Sequence, residues 1–266
     1  MSTATRDRRK GDPGLVRLLL AAIPMVAAVL AVPMVAAPAA SALPEAPPVA
    51  AASPETGNIS FVASSKSAGN RTTHTLKVPN KVREGDVLLL SITTNSKTSI
   101  TGPGGWKQKN ARNGKGIGAR LWVRTASDRL AGTTVQVRTG ARTKAVLTLA
   151  AYRSSVKPTV TASAVRGANS PRTRHAAPAV QVTRDKSWLV SIWSEKSSGA
   201  PGWRLPSTVR SRGAASTSGT NKVSSIWGDS AGPVVTGPSP ARTATTKRPV
   251  ARTAMFSVVI LSLIHI

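Results

Sequence analysis

After Thr56 the sequence shows no apolar period of the kind that marks a helix, and short strand-forming runs take its place. Thr, Val and Ile dominate these runs, and Gly, Pro, Ser and Asn separate them. Such runs bounded by turn residues predict β-strands, and Asn113-Gly114 is typical of a hairpin turn. The predicted strands are residues 58–64, 74–78, 86–94, 118–125, 133–138, 145–153, 159–165, 177–183, 187–194, 223–229 and 251–260. Many short strands with frequent turns predict an all-β chain folded as an antiparallel sandwich or barrel.

The first half of this region resembles the second half. The run GDVLLLSITTN (85–95) is followed by GPGGW (102–106), and KSWLVSIWSEK (186–196) is followed by GAPGW (199–203). Each half then continues with a Trp-bearing strand and a closing apolar strand. These later elements are Trp122 and residues 147–151 in the first half, and Trp227 and residues 256–260 in the second. The repetition predicts two pseudo-repeated halves that share one architecture.

A spacing of 100 residues aligns three apolar positions of the first run with three of the second. The aligned residues are Leu88, Leu90 and Ile92, and Trp188, Val190 and Ile192. Because alternate residues of a strand share a face, each trio is predicted to line one face of a sheet. We expect the two faces to meet in one core, giving an antiparallel, jelly-roll-like β-sandwich over residues 58–260. The alternative is a pair of small domains joined near residues 154–158.

The motifs REGDVLLLSI, GPGGW, ARLWVRTAS, LTLAAYR, SWLVSIWSEKSS and VSSIWGDSAGPV occur in this order along the chain. Together they resemble the exported β-sandwich module of actinobacterial secreted multidomain proteins, which often precedes PKD-type repeats. Related modules with a GD-LLL run and a P-GW loop occur in phage tail and other bacterial surface proteins. The resemblance covers residues 58–260 and implies a sandwich fold outside the cell. It implies no active site, because the shared motifs are structural.

The N-terminal region has the composition of an export signal. Five basic residues precede an uncharged stretch from Leu18 to Ala39, and the small residues ASA end at Ala42. This arrangement predicts a secretory signal peptide over residues 1–42, forming a signal helix that is cleaved after Ala42. The alternative is a retained membrane anchor. Residues 43–57, rich in Pro and Ala, predict an extended linker.

The last six residues, LSLIHI, are predicted to be a sequencing artefact. The codons CTG TCT CTT ATA CAC ATC encode them and match the mosaic end of a transposon-based sequencing adaptor. We therefore expect residues 261–266 to derive from the adaptor, and the natural chain to continue differently after Ile260.

Charge is the most unusual property of the composition. The chain carries 37 Lys and Arg residues against 10 Asp and Glu, a formal net charge of +27, and it contains no Cys. Such a surface attracts polyanions. The basic residues are scattered along the chain, whereas nucleic-acid readers show clusters and recognisable modules. The expected partner is an anionic cell-wall polymer or polysaccharide, with no specific nucleic acid and with membrane contact only through an uncleaved signal segment.

Residues that carry catalytic or metal chemistry are few and dispersed. His74 and His175 each stand alone, and metal sites need several ligands at defined spacing. The acidic residues of the domain are Glu84, Asp86, Asp128, Asp185, Glu195 and Asp229. Several of them lie in turn-like contexts, where carboxylates stabilise local backbone. We therefore expect no catalytic, cofactor or metal site.

Tryptophan supplies the remaining candidate site residues, since six of the nine aromatic residues are Trp. Indole rings beside Arg or Ser on the outer face of a sheet can stack on sugar rings or bases. Period-2 alternation places Trp122 with Arg120 and Arg124, and separates Trp193 from the core residue Trp188. Trp227 is the counterpart of Trp122. The candidate ligand-stacking residues are therefore Trp122, Arg120, Arg124, Trp193 and Trp227, while Trp106 and Trp203 are expected to pin their Gly-Pro loops to the sandwich edge.

These features predict a secreted or envelope-associated, non-enzymatic β-sandwich module. It is expected to bind anionic or carbohydrate surface polymers, or to serve as a spacer in a larger protein. One alternative is a carbohydrate-active enzyme domain on a jelly-roll scaffold, which needs two carboxylates converging on a groove. The other is a basic nucleic-acid binder, which needs its cations gathered on one face.

Overall fold

The computed structural model of the protein describes residues 58–199 and 202–262. Over these ranges the chain is entirely β, with every strand pairing antiparallel and no helix. The strands are β1 (Ser60–Lys77), β2 (Val87–Thr94), β3 (Ile100–Thr101), β4 (Lys107–Gly114), β5 (Ile117–Thr125), β6 (Thr134–Arg153), β7 (Pro158–Arg166), β8 (Arg172–Ala176), β9 (Gln181–Val182), β10 (Trp188–Ser197), β11 (Arg210–Ser216), β12 (Lys222–Asp229), β13 (Gly237–Pro238), β14 (Thr243–Val250) and β15 (Arg252–Ser262). The predicted signal segment (1–42) and linker (43–57) lie outside the described residues. Of the predicted adaptor residues, Leu261 and Ser262 continue β15, and residues 263–266 lie outside the described part.

Two sheets account for most of the fold, and they have the same strand order. The front sheet runs β1-β6-β2-β5-β4, with β3 added beside β6, and the back sheet runs β7-β15-β10-β12-β11. If the five strands of each sheet other than β3 are numbered along the chain, both sheets have the order first, fifth, second, fourth and third. Two short ribbons, β9 with β13 and β8 with β14, accompany the back sheet.

The two sheets pack face to face with their strand orders reversed. Contacts join β1 to β11, β6 to β12, β2 to β10, β5 to β15 and β4 to β7. The first strand of one half therefore faces the third strand of the other, and the two second strands face each other at the centre.

An inner cluster of apolar side chains fills the space between the sheets. The front sheet contributes Val87, Leu89 and Leu121, and the back sheet contributes residues such as Trp188 and Phe256. Each fully buried side chain of this size stabilises the fold by about 1.5–3 kcal/mol. Because successive side chains of a strand point to opposite faces, the residues between those of the inner cluster lie on the outer faces, where loops and ribbons cover them.

The predicted pairing of apolar faces is wrong by one residue. Leu88, Leu90 and Ile92 are fully buried, but they belong to a front outer cluster with Trp122. Trp188, Val190 and Ile192 lie in the inner cluster. The turns that precede β2 and β10 each contain a left-handed residue, Gly85 (φ 85°) and Lys186 (φ 62°), and these two residues are 101 positions apart instead of 100. A shift of one residue reverses the face of every side chain in a strand.

The same reversal separates the other predicted pairs. Trp122 lies in the front outer cluster, whereas Trp227 lies in the inner cluster. Leu147 and Leu149 point outward, and Phe256 and Val258 point inward. The hairpin between β4 and β5 turns at Lys115 and Gly116 (φ 70°), two residues after the predicted Asn113-Gly114.

No helix within the described ranges has the length and apolarity that a membrane crossing requires.

Candidate functional site

Three of the predicted ligand-stacking residues are buried: Trp122 is 3% exposed, Trp193 0% and Trp227 2%. Trp122 lies under the GPGGW loop, where Gly102 leaves room for the indole ring. Trp193 lies under β8 and donates its Nε1–H to the carbonyl of His175 at 2.9 Å. Trp227 belongs to the inner cluster and packs against Gly213. As a correction to the sequence interpretation, these rings form cores instead of open platforms.

The two predicted arginines have different surroundings. Arg120 donates hydrogen bonds to the carbonyls of Arg112 and Ala119 and to Oδ1 of Asn113, so it is engaged within the β4–β5 hairpin. Its burial lowers the pKa of the guanidinium from its ordinary value. Arg124 lies further along β5 and borders two adjacent depressions in the surface. The structure therefore retains Arg124 as a ligand-facing candidate.

The larger depression, about 540 Å³, lies beside the GPGGW loop. Its walls include the half-buried ring of Trp106, the loop residues Gly102 to Gly104, and Arg124 and Arg138. The adjacent depression, about 380 Å³, lies between β4–β5 and the start of β7, and Lys107 and Lys109 line it. Because Arg124 lines both, we treat the two as one surface and name it the Trp106 groove.

The glycine before Trp106 positions Arg124 in this groove. Gly105 has φ 76°, a left-handed conformation that favours glycine, and a Cβ atom there would lie 3.3 Å from Nη1 of Arg124. The loop thus accommodates a guanidinium laid across it, beside an indole ring that is partly exposed. Arg124 and Trp106 are brought together although 17 residues of sequence lie between them.

The Trp106 groove is basic throughout. Of the described residues that line it, Arg124, Arg138, Lys107 and Lys109 are cationic and none is acidic. Within the described ranges no residue accepts a hydrogen bond from the side chain of Arg124, Lys107 or Lys109. Cations without internal partners remain available to an external anion, and their mutual repulsion is relieved when one binds.

The acidic residues of the enzyme alternative lie elsewhere. Asp86 accepts two hydrogen bonds from Arg153 at 2.7 and 2.8 Å, and Asp229 accepts two from Arg212 at 2.6 and 3.0 Å. Glu195 is buried on the outer face of the back sheet, and burial raises its pKa. The remaining residues, Glu84, Asp128 and Asp185, are exposed in turns. Among the described residues the Trp106 groove contains none of these carboxylates.

Both histidines are buried. His74 lies in β1 and His175 in β8, and each has one ring nitrogen without a hydrogen-bond partner among the described residues. Burial lowers the pKa of both rings, that of His175 to about 4. Within the described ranges no three His, Asp or Glu side chains converge as metal ligands.

A second half-exposed tryptophan lies on the back sheet. Trp203 borders a cleft of about 420 Å³ whose other walls are β11 and β12. Its Nε1–H donates to Oγ of Ser224 at 3.0 Å, and that hydroxyl donates to Oε1 of Glu195 at 2.6 Å. The ring of His175 lies edge-on to the indole, 5.3 Å between centroids. Trp106 and Trp203, which are predicted to pin their Gly-Pro loops, each pack against a cluster of buried residues on the outer face of a sheet.

Compared with family models, curated proteins and solved structures, the chain matches none of them.

Proposed function

We propose that the described domain is a non-enzymatic binding module for anionic polymers, with the Trp106 groove as its site. The observation that carries the proposal is the set of cations without internal partners beside a half-exposed indole ring. The anionic polysaccharides of a bacterial envelope combine both complementary features, since they carry negative charge and present the flat faces of sugar rings. Arg124 and the two lysines bind the charges, and Trp106 packs against the rings.

The proposal includes export and attachment outside the cell. It rests on the predicted signal segment (1–42) and linker (43–57), and on a domain without Cys that relies on its apolar clusters for stability. A net charge of +27 favours retention on polyanionic surfaces.

The proposal also includes a jelly-roll-like sandwich formed by two pseudo-repeated halves. The shared strand order of the two sheets supports it, and so do the matching left-handed residues at Gly85 and Lys186. Both features are expected when one ancestral half has been duplicated and the copies have diverged.

The test is retention of the full chain on immobilised polygalacturonate, an anionic polysaccharide, over a salt gradient. We expect salt-sensitive retention, because screened Coulomb attraction provides most of the affinity. Removing three cations of the groove together (Arg124→Ala, Lys107→Ala and Lys109→Ala) should weaken binding about tenfold.

The matched control removes three exposed cations elsewhere (Arg174→Ala, Arg184→Ala and Arg210→Ala), which lowers the net charge equally. If both triple variants lose the same affinity, charge acts diffusely and the groove is not the site. If single-stranded DNA is retained more strongly than the polysaccharide through the same cations, the nucleic-acid alternative replaces the proposal.

A further inference from the structure

The two sheets are related by an approximate two-fold axis. Their strand orders are the same, and their mutual contacts are reciprocal: β1 with β11 and β4 with β7, β6 with β12 and β5 with β15. Strands β2 and β10 face each other across the axis. Reciprocal contacts of this kind define an isologous interface, as in a two-fold dimer. A site on the outer face of one sheet therefore has a counterpart on the opposite outer face of the molecule.

The counterpart of the GPGGW loop is built in the same way. Gly105 and Gly202 precede Trp106 and Trp203, and both glycines are left-handed, with φ 76° and 60°. A long cationic side chain crosses each glycine. A Cβ atom at Gly105 would lie 3.3 Å from Nη1 of Arg124, and one at Gly202 would lie 2.8 Å from Cγ of Lys247.

The indole ring of Trp203 is held in one orientation. Its only polar atom is bound to Ser224, and the ring of His175 supports another edge. The ring is only partly buried, and it faces a floor of small side chains on β11, including the exposed Ala214 and Ser216. A fixed aromatic wall beside a flat floor accommodates a sugar ring without ordering new side chains, which is the main entropic cost of such binding.

We propose that the cleft between Trp203 and strands β11 and β12, with Lys247 packed against Gly202 beside it, is a second site for an anionic polysaccharide, so that one domain bridges two polymer chains. This inference rests on the proposed function. The residues that line the cleft include one indole ring and no cation, and Lys247 beside Gly202 supplies the nearby charge, whereas four cations line the Trp106 groove. The second site is therefore the weaker of the two, and it depends more on the aromatic ring.

The experiment is calorimetric titration of the full chain with short galacturonate oligosaccharides, followed by turbidity on mixing with long polygalacturonate. We expect two sites per chain and bridging of the long polymer. Trp203→Ala should weaken the second site about tenfold and abolish turbidity while the stronger site persists. Lys247→Ala should weaken the second site roughly threefold. Because Lys247 is exposed, this variant still tests the site if Trp203→Ala fails to fold.

Lys81→Ala, which removes an exposed cation far from Gly202 in sequence, is the matched control and should leave both sites unchanged. One site per chain and no turbidity, with the groove variants still weakening that site, overturns the second site and leaves the proposed function intact. No binding of any oligosaccharide or polymer overturns the proposed function itself.

Discussion

The front and back sheets have one strand order but distribute their large side chains differently in two central rows. In one row across the front sheet Leu149, Leu90 and Trp122 point outward, and the matching row of the back sheet is Ser257, Ser191 and Gly228. In the next row the front sheet points Thr148, Ser91 and Leu121 inward, and the back sheet points Phe256, Ile192 and Trp227 inward.

This difference shows how two similar sheets can share one core. Interiors pack at near-crystalline density, so large residues from both sheets at the same level would overlap. At this level the back sheet supplies three large side chains, and the front sheet supplies two small hydroxyl residues, Ser91 and Thr148, beside Leu121. The front sheet places its own bulk on the outer face, under the GPGGW loop.

The largest expected effect comes from removing a large side chain of the back sheet from the middle of the interface. Phe256→Ala should lower the free energy of unfolding by about 3–5 kcal/mol, because it leaves a cavity in the inner cluster. Thr148→Ala, on the front strand of the same level, should cost about 1 kcal/mol through the lost hydrogen bond to Ser91. Urea unfolding measures both values. Equal losses would mean that the two sheets fill the interface equally.

The second prediction compares the two buried aspartates. Asp229 joins the sheets, since it accepts from Arg212 of β11 and from the hydroxyl of Tyr152 of β6 at 3.0 Å. Asp229→Ala leaves the guanidinium of Arg212, whose side chain is only 12% exposed, without its carboxylate partner and should cost about 3 kcal/mol. Asp86→Ala should cost less, about 1–2 kcal/mol, because the side chain of Arg153 is 31% exposed and water replaces the lost partner.

In urea unfolding at constant pH, the loss of unfolding free energy should therefore be larger for Asp229→Ala than for Asp86→Ala. The reverse ranking would place the principal polar link within the front sheet instead of between the sheets. Tyr152→Phe is the matched control for the link itself, since it removes one hydrogen bond and keeps the ring.

The third prediction, which has the smallest expected effect, concerns the stability of the protein in acid. Because folding lowers the pKa of His74 and His175, the unfolded chain binds more protons than the folded chain below pH 6.5. The stability that the two neutral histidines contribute is therefore fully present above that pH. It is lost as the pH falls toward about 4, the pKa of His175. Arg172 repels the proton on His175, and Arg71 repels that on His74.

His175→Gln should flatten this acid slope more than His74→Gln, as measured by melting temperature between pH 7 and 4. Glu195→Gln should act in the opposite sense, because a raised carboxyl pKa makes stability fall as the pH rises above 4.5. An acid slope unchanged in both histidine variants would place the titrating groups elsewhere.

The sequence predicts the apolar strands well and the polar edge strands β4 and β11 poorly. The predicted strands at 86–94 and 187–194 match β2 and β10 within a few residues, because both are buried and apolar. Strands β4 and β11, with the sequences KQKNARNG and RSRGAAS, are not predicted, because they lack an apolar pattern. Charged residues on such edge strands protect a sheet from pairing with further strands. Strands β1 and β6 were each predicted as two strands, since polar residues interrupt their long apolar pattern.

The candidate site is predictable only in part, for a related physical reason. Alternation identifies Arg124 and the residues that share its face, but it does not distinguish an open face from one covered by a loop. Trp122 and Trp193 are covered in this way, and Trp106 and Trp203 are half-exposed because they belong to the covering loops. The signal that finds them is the glycine before each Trp, which allows a cation to lie beside the ring.

The most direct test of the face assignment uses Tyr152, the single tyrosine of the sequence. Its ring lies on the front sheet, 6.3 Å between centroids from Trp188 of the back sheet and 5.7 Å from Phe61. Nuclear Overhauser spectroscopy of the folded chain should show contacts from the Tyr152 ring to Trp188 and Phe61, and none to Trp122. Contacts to Trp122 in place of Trp188 would reverse the inner and outer faces and contradict the account.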